Sequence, residues 1–148
     1  MRKLRKLWAS PRRFKALLAE AFLRLSALSV FRILPVPGRA QRLTRGHRLS
    51  HTRHTPPSSQ EICHAVNIAA HYVPGASCLV KAQAGNAMLN RFGYAAEIKI
   101  GVARESSYLR AHAWVEWDGR VVLGATRNQY VELLKSAPAD GRLQLPGA

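Results

Sequence analysis

The segment from Ser77 to Glu116 constrains the fold most, because its hydrophobic pattern changes from helical to alternating. Ser77 is a good N-cap, and the small and apolar residues after it predict a helix that begins at Cys78 and is closed by Gly93. The alternation that follows predicts a half-buried strand from Tyr94 to Val102. A helix is therefore expected to be followed directly by a sheet.

A β-hairpin is predicted next along the chain. Leu109 to Trp117 forms the second strand, and Asp118-Gly119 is the strongest hairpin-turn signal in the sequence. Val121 to Leu123 returns as a third strand. His112 is therefore expected in the middle of a strand, on the same face as Trp114.

Cys78 and His112 are the candidate nucleophile and base. In the first turn of a helix, unpaired backbone N–H groups and the positive end of the helix dipole favour a thiolate. The same N–H groups can hold an oxyanion. An imidazole fixed on a strand can take and return the thiol proton. Taken singly, each residue has a structural alternative, a buried thiol or a core imidazole that bonds the backbone.

Several short motifs carry these two residues, and they cover about residues 60–135. They are Cys78-Leu79, Arg91-Phe92-Gly93-Tyr94, Ile98 to Val102, and Ala111-His112-Ala113-Trp114-Val115-Glu116 followed by Asp118-Gly119. This set resembles the transglutaminase-like cysteine peptidases of lasso-peptide biosynthesis, the B proteins, in the form without a fused leader-recognition domain. The resemblance implies an α+β, papain-like or transglutaminase-like core with Cys78 and His112 as catalytic residues.

The same resemblance implies a reaction and its partners. The reaction is cleavage of the leader peptide from a ribosomal precursor, by amide hydrolysis through a thioester acyl-enzyme. The partners are that leader peptide, a separate small leader-recognition protein, and an asparagine-synthetase-like macrolactam cyclase. Neither a cofactor nor a metal is expected. With two cysteines and no C-x-x-C, no disulfide framework is indicated, and a reduced, cytoplasmic location suits a free thiol.

The third catalytic member is the point at which this chain departs from the family, which usually supplies an Asp on the strand after the His. A two-residue turn pairs Trp117 with Arg120, and counting back then places His112 opposite Ala125, with Gly124 beside it. Neither of these residues carries a carboxylate.

Three assignments of the third member remain open. Asp118 is the nearest acid and is taken as the candidate, although about 15 Å of strand separates it from His112. Asn128 would orient the imidazole if the chain bends back, as an Asn does in papain-like sites. A dyad without a third member is the remaining alternative.

The basic charge is concentrated in the N-terminal third. Residues 1–54 contain fourteen Lys and Arg against one acid, Glu20, which gives +13 of the formal net charge of +15. We expect residues 1–54 to form a basic helical segment and linker, and residues 55–148 to form the peptidase domain. Within the segment, an amphipathic helix is predicted from Pro11 to about Leu34. Its apolar stripe is Phe14, Leu18, Ala21, Leu25 and Leu28.

We expect this stripe to pack on the core, with a membrane-surface helix or a partner-binding helix as alternatives. Residues 38–59 are predicted to be a basic loop. Its histidines, His47, His51 and His54, are not expected to bind metal, because no Cys or acidic ligand accompanies them. Nucleic-acid binding is not expected, since no stacking platform accompanies the charge. No uncharged run reaches the length of a transmembrane helix.

A further helix is predicted from Ser59 to Tyr72, with Cys63 as a buried apolar residue of its packed face. The segment from Tyr130 to Leu134 is expected to be a short helix or strand, and residues 136–148 a loose tail. Two functions other than a peptidase are also considered. One is a non-catalytic transglutaminase-fold binding or scaffold protein, and the other is a basic protein associated with membranes or nucleic acid.

Overall fold

Three helices and an antiparallel sheet make up the part of the chain that the structure describes. The computed structural model describes residues 11–33, 56–105, 108–126, 130–136 and 143–144. The helices are α1 (Arg12–Ile33), α2 (Ser59–Tyr72) and α3 (Cys78–Arg91). The strands are β1 (Glu97–Glu105), β2 (Tyr108–Trp117), β3 (Arg120–Leu123), β4 (Val131–Ser136) and β5 (Leu143–Gln144). The predicted α+β class is confirmed. Asn128 and the three histidines of the basic loop lie outside the described residues.

The strand order in the sheet is β3-β2-β1-β4-β5. Strands β1 and β2 pair along their whole length, and Asp118-Gly119 closes the β2–β3 hairpin with positive φ at both residues, as the sequence predicts. Strand β4 pairs with the other edge of β1, which settles the choice between helix and strand for this segment. The prediction of a loose tail is wrong at Leu143–Gln144, which pairs with β4.

Helices α2 and α3 begin where their caps predict. Ser58 and Glu61 form a capping box at the start of α2, and Arg13 of α1 contacts Glu61 at 2.7 Å. The hydrogen bond from Arg13 is the main reason that the pKa of Glu61 lies below its usual value. At the start of α3, the Ser77 side chain accepts a hydrogen bond from the Val80 N–H.

Helix α1 packs into the same core as α2, α3 and the sheet. Its buried residues are Leu17, Ala21, Leu25 and Leu28. The expected stripe is confirmed at Ala21, Leu25 and Leu28, whereas Phe14 and Leu18 are only partly buried and Leu17 is buried in place of Leu18. Glu20, the one acid of the helix, contacts Arg24 at 2.9 Å and Arg91 of α3 at 2.6 Å. The division of the chain after residue 54 stays a prediction. Among the described helices, none combines the length and apolarity that crossing a bilayer requires.

The helices cover one face of the sheet. Ala113, Val115 and Leu123 point into the core, and a Cβ added at Gly85 of α3 would overlap the Leu123 side chain. Gly85 therefore allows the helix to approach β3 closely. Because side chains alternate along a strand, His112 on β2 lies on the opposite face from Ala113 and Val115.

Candidate active site

Cys78 is the first residue of α3, as the sequence predicts. Its side chain is half-buried and packs against the hydrophobic core. The Ser77 side chain caps Val80 and the Ser77 carbonyl accepts from the Lys81 N–H. The N–H groups of Cys78 and Leu79 have no partner within the described residues, so they are available beside the thiol. Unpaired N–H groups at a helix start can bind an oxyanion.

His112 lies on β2 with its ring half-buried. Its Nε2 atom is 2.7 Å from the carbonyl oxygen of Gly124. A carbonyl can only accept a hydrogen bond, so Nε2 carries the proton and Nδ1 presents its lone pair. The contact therefore holds the imidazole in the form that can accept a thiol proton at Nδ1.

Two aromatic rings hold the imidazole from the sides. Trp114 stacks with His112 at a centroid distance of 6.2 Å and an interplanar angle of 15°, and Tyr130 lies 5.2 Å away at 31°. Gly101, the strand partner of His112, leaves room for both rings. An added Cβ there would lie 2.9 Å from the Trp114 ring and 3.0 Å from Tyr130. The orientation of the imidazole is thus fixed by packing as well as by hydrogen bonding.

A charged network supports Trp114 on the same face. The indole N–H donates to Glu116 at 2.8 Å. Lys99 is buried, and its ammonium lies 2.8 Å from Glu132 and 3.9 Å from Glu116. A buried ammonium needs compensating carboxylates. Here they come from the neighbouring strands β2 and β4, so the contacts tie β1 to both. The network fixes the tryptophan that stacks on His112.

Helix α3 runs in the same direction as β2. Near its end, the Asn90 side chain donates to the carbonyl of Ala96 at 3.0 Å. Ala96 directly precedes β1, whose first residue, Glu97, pairs with Glu116 near the end of β2. The last turn of α3 and the last residues of β2 are therefore neighbours.

Residue counts from one contact place Cys78 and His112 at a similar height along the sheet, whereas His112 lies on the opposite face of β2 from the residues that α3 packs against. Gly85 packs against Leu123, the strand partner of Val115. Cys78 precedes Gly85 by seven helical residues, about 10 Å, and His112 precedes Val115 by three strand residues, also about 10 Å. No hydrogen bond joins Cys78 to His112 in the described part of the chain.

The register of the β2–β3 hairpin differs from the one obtained by counting back from the Asp118-Gly119 turn. Trp117 pairs with Arg120 as expected, but the register shifts between Val115 and Glu116, so that Val115 pairs with Leu123. The prediction that Ala125 lies opposite His112 is therefore wrong, because the count assumed no bulge. The shift brings the Gly124 carbonyl to the imidazole.

Asp118 occupies the turn at the far end of β2, with φ of 51° and an exposed side chain. No hydrogen bond joins it to His112 within the described residues. Its assignment as the third catalytic member stays a prediction.

Cys63 is buried in α2, as expected for an apolar core residue. Burial raises the pKa of its thiol to about 11, so it is protonated at neutral pH and does not compete with Cys78 as nucleophile. No group of three or more metal-ligating side chains occurs among the described residues.

Comparison with known proteins agrees with this geometry. A family model described as the transglutaminase-like superfamily matches residues 18–135. The chain belongs to the transglutaminase-like superfamily. This superfamily includes cysteine peptidases and commonly holds cysteine-dependent enzymes. No curated protein and no solved structure matches the chain.

Three contributors to the site were missed by sequence reasoning. Tyr130 reaches the imidazole only through the pairing of β4 with β1, which no local pattern indicates. Lys99 lies opposite Trp114 on β1, and its nearer carboxylate, Glu132, likewise comes from β4. Gly124 was noted only for lacking a carboxylate, although a glycine directly after a strand is a signal of special backbone geometry.

Proposed function

We propose that this member of the superfamily is a cysteine peptidase that removes the leader peptide from a ribosomal precursor during lasso-peptide maturation. The observation that supports this most is the contact of His112 Nε2 with the Gly124 carbonyl, which leaves Nδ1 to act as a base, while Cys78 stands at a helix start. The family motifs around both residues supply the substrate class.

The chemistry assigns one task to each group. Cys78 attacks the scissile carbonyl carbon as a thiolate after His112 takes its proton at Nδ1. The N–H groups of Cys78 and Leu79 donate to the oxyanion that forms. His112 then gives the proton to the leaving amine, and a thioester remains on Cys78. Water, deprotonated by His112, hydrolyses the thioester and releases the acid.

The partners follow from the family resemblance. A separate small leader-recognition protein binds the leader and delivers it to the site, and an asparagine-synthetase-like cyclase acts on the released core peptide. All three proteins work in the cytoplasm. The isolated chain is then expected to cleave slowly, with turnover restored by the recognition protein. Rapid cleavage that the added protein does not change would contradict this arrangement.

The test uses the purified chain, the recognition protein and the precursor, with cleavage followed by mass spectrometry. Cys78→Ala and His112→Ala should each lower the rate by at least about a hundredfold, because nucleophile and base act as one unit. Cys63→Ala is the matched control, since it removes the other thiol and should leave cleavage intact. A Cys78→Ala protein that keeps more than about a tenth of the rate would refute the proposal.

A second function is favoured by one observation, that the residue beside His112 is a glycine without a carboxylate. A chain that has lost its chemistry would serve as a transglutaminase-fold binding or scaffold protein. In that case the wild-type protein and Cys78→Ala would bind the precursor equally well, and neither would cleave it.

A further inference from the structure

Gly124 has a backbone conformation that side chains rarely adopt. Its φ is +82°, and an added Cβ would lie 3.1 Å from the Ala113 carbonyl oxygen and 3.2 Å from the Cα and Cβ of Trp114. A residue with a Cβ is strained at this positive φ even before the crowding is counted. An Asp side chain cannot be accommodated here without moving the backbone.

The backbone carbonyl of Gly124 makes the contact with the imidazole that the side chain of a third catalytic residue would otherwise make. Its carbonyl oxygen is 2.7 Å from Nε2 of His112, a short hydrogen bond. We propose that the main-chain carbonyl of Gly124 is the third member of the site, and that glycine is required there because only glycine can present its carbonyl to His112 in this conformation. The part of this proposal that concerns rate rests on the proposed peptidase function, and the part that concerns the imidazole does not.

The position of this carbonyl depends on the helix that carries the nucleophile. Leu123, the residue before Gly124, is 2% exposed and packs against Gly85 of α3. The register shift between Val115 and Glu116 seats Leu123 opposite Val115. Helix α3 therefore carries Cys78 at its start and, seven residues later at Gly85, contacts the strand end that orients His112.

A carbonyl and a carboxylate orient an imidazole equally well, but they differ in charge. The carboxylate of a usual triad also stabilises the imidazolium that forms when the base takes a proton. A neutral carbonyl fixes the tautomer and the orientation of the ring, but it stabilises the imidazolium only through its dipole. Orientation is the larger requirement for proton transfer, since a misplacement of about 1 Å can cost on the order of a hundredfold in rate.

The first test is spectroscopic and needs no substrate. In long-range ¹H–¹⁵N spectra of wild-type protein labelled at histidine, the neutral form of His112 should carry its proton on Nε2. In Gly124→Ala the displaced carbonyl should release the ring, and the spectrum should show exchange between the two tautomers. A wild-type ring protonated at Nδ1 would overturn the proposal, even if the Ala variant failed to fold.

Gly93→Ala is the matched control, because Gly93 also has positive φ, +90°, but nothing lies within 4 Å of its added Cβ. It carries the same backbone strain away from His112 and should leave the tautomer unchanged. A tautomer change of equal size in Gly93→Ala would mean that strain alone is responsible, and the proposal would fall.

The second test is kinetic and compares two substitutions at one residue. Gly124→Ala and Gly124→Asp should both lower kcat for leader cleavage at least about tenfold. A Gly124→Asp protein that is faster than wild type would show that a carboxylate is simply missing, and this would overturn the proposal. So would a loss in Asp118→Asn larger than that in Gly124→Ala. If wild type does not cleave the leader but the tautomer behaves as expected, the proposed function fails and the role of Gly124 stands.

Discussion

Leu25→Ala measures whether α1 belongs to the same folded domain as α2, α3 and the sheet or is an appendage. Leu25 is 0% exposed and lies in the core cluster with residues of α2, α3 and the sheet. Truncating a fully buried leucine to alanine loses its transfer free energy and leaves a cavity, so we expect a loss of about 3 kcal/mol in the free energy of unfolding. At a typical slope of about 1.5–2 kcal/mol per M urea, the unfolding midpoint should fall by roughly 1.5–2 M.

Leu23→Ala is the matched control on the same helix. Leu23 is 73% exposed, so little of its surface leaves water on folding. The same chemical change there should cost at most about 0.5 kcal/mol, partly offset by the better helix propensity of alanine. Urea unfolding followed by circular dichroism and tryptophan fluorescence reports both variants. Equal midpoints for the two variants would show that α1 does not share the core, and the division of the chain after residue 54 would then hold.

Two smaller predictions concern buried polar groups. The pKa of Cys63 is raised from 9.0 to about 11 in the folded protein, so its thiol stays protonated where that of the unfolded chain ionises. Its contribution to stability is therefore complete below about pH 9 and is lost as the pH rises toward 11, and urea midpoints should fall more over this range in wild type than in Cys63→Ala. The hydroxyl of Ser29 is buried without a partner in the described residues. Ser29→Ala should leave stability unchanged or raise it by about 1 kcal/mol, and a loss of more than about 1 kcal/mol would show that the hydroxyl has a partner.

The helices and the hairpin could be predicted because local chemistry determines them. Ser77 and Gly93 bound α3 through an N-cap and a residue of positive φ, and both interactions involve neighbours in sequence. Asp118-Gly119 selects the hairpin turn for the same reason. The location of Cys78 and the strand face of His112 follow directly from these elements.

The immediate surroundings of His112 could not be predicted in this way. The bulge that moves Gly124 depends on the contact of Leu123 with Gly85, which lie in different elements. The stacking of Tyr130 on His112 depends on β4 joining the far edge of β1. Such contacts depend on tertiary packing, and a count along one hairpin contains no information about it.

Because side chains alternate along β2, packing constrains its odd-numbered residues and the surroundings of His112 constrain its even-numbered residues. Ala113 and Val115 meet the helices, while His112, Trp114 and Glu116 meet each other on the opposite face. A descendant that acquired a new substrate would keep the ability to fold if substitutions fell on the even-numbered residues of β2 and the odd-numbered ones were retained. In a descendant that lost its chemistry, the even-numbered residues would change first. Changes confined to those residues would therefore show that the activity was lost while the fold was kept.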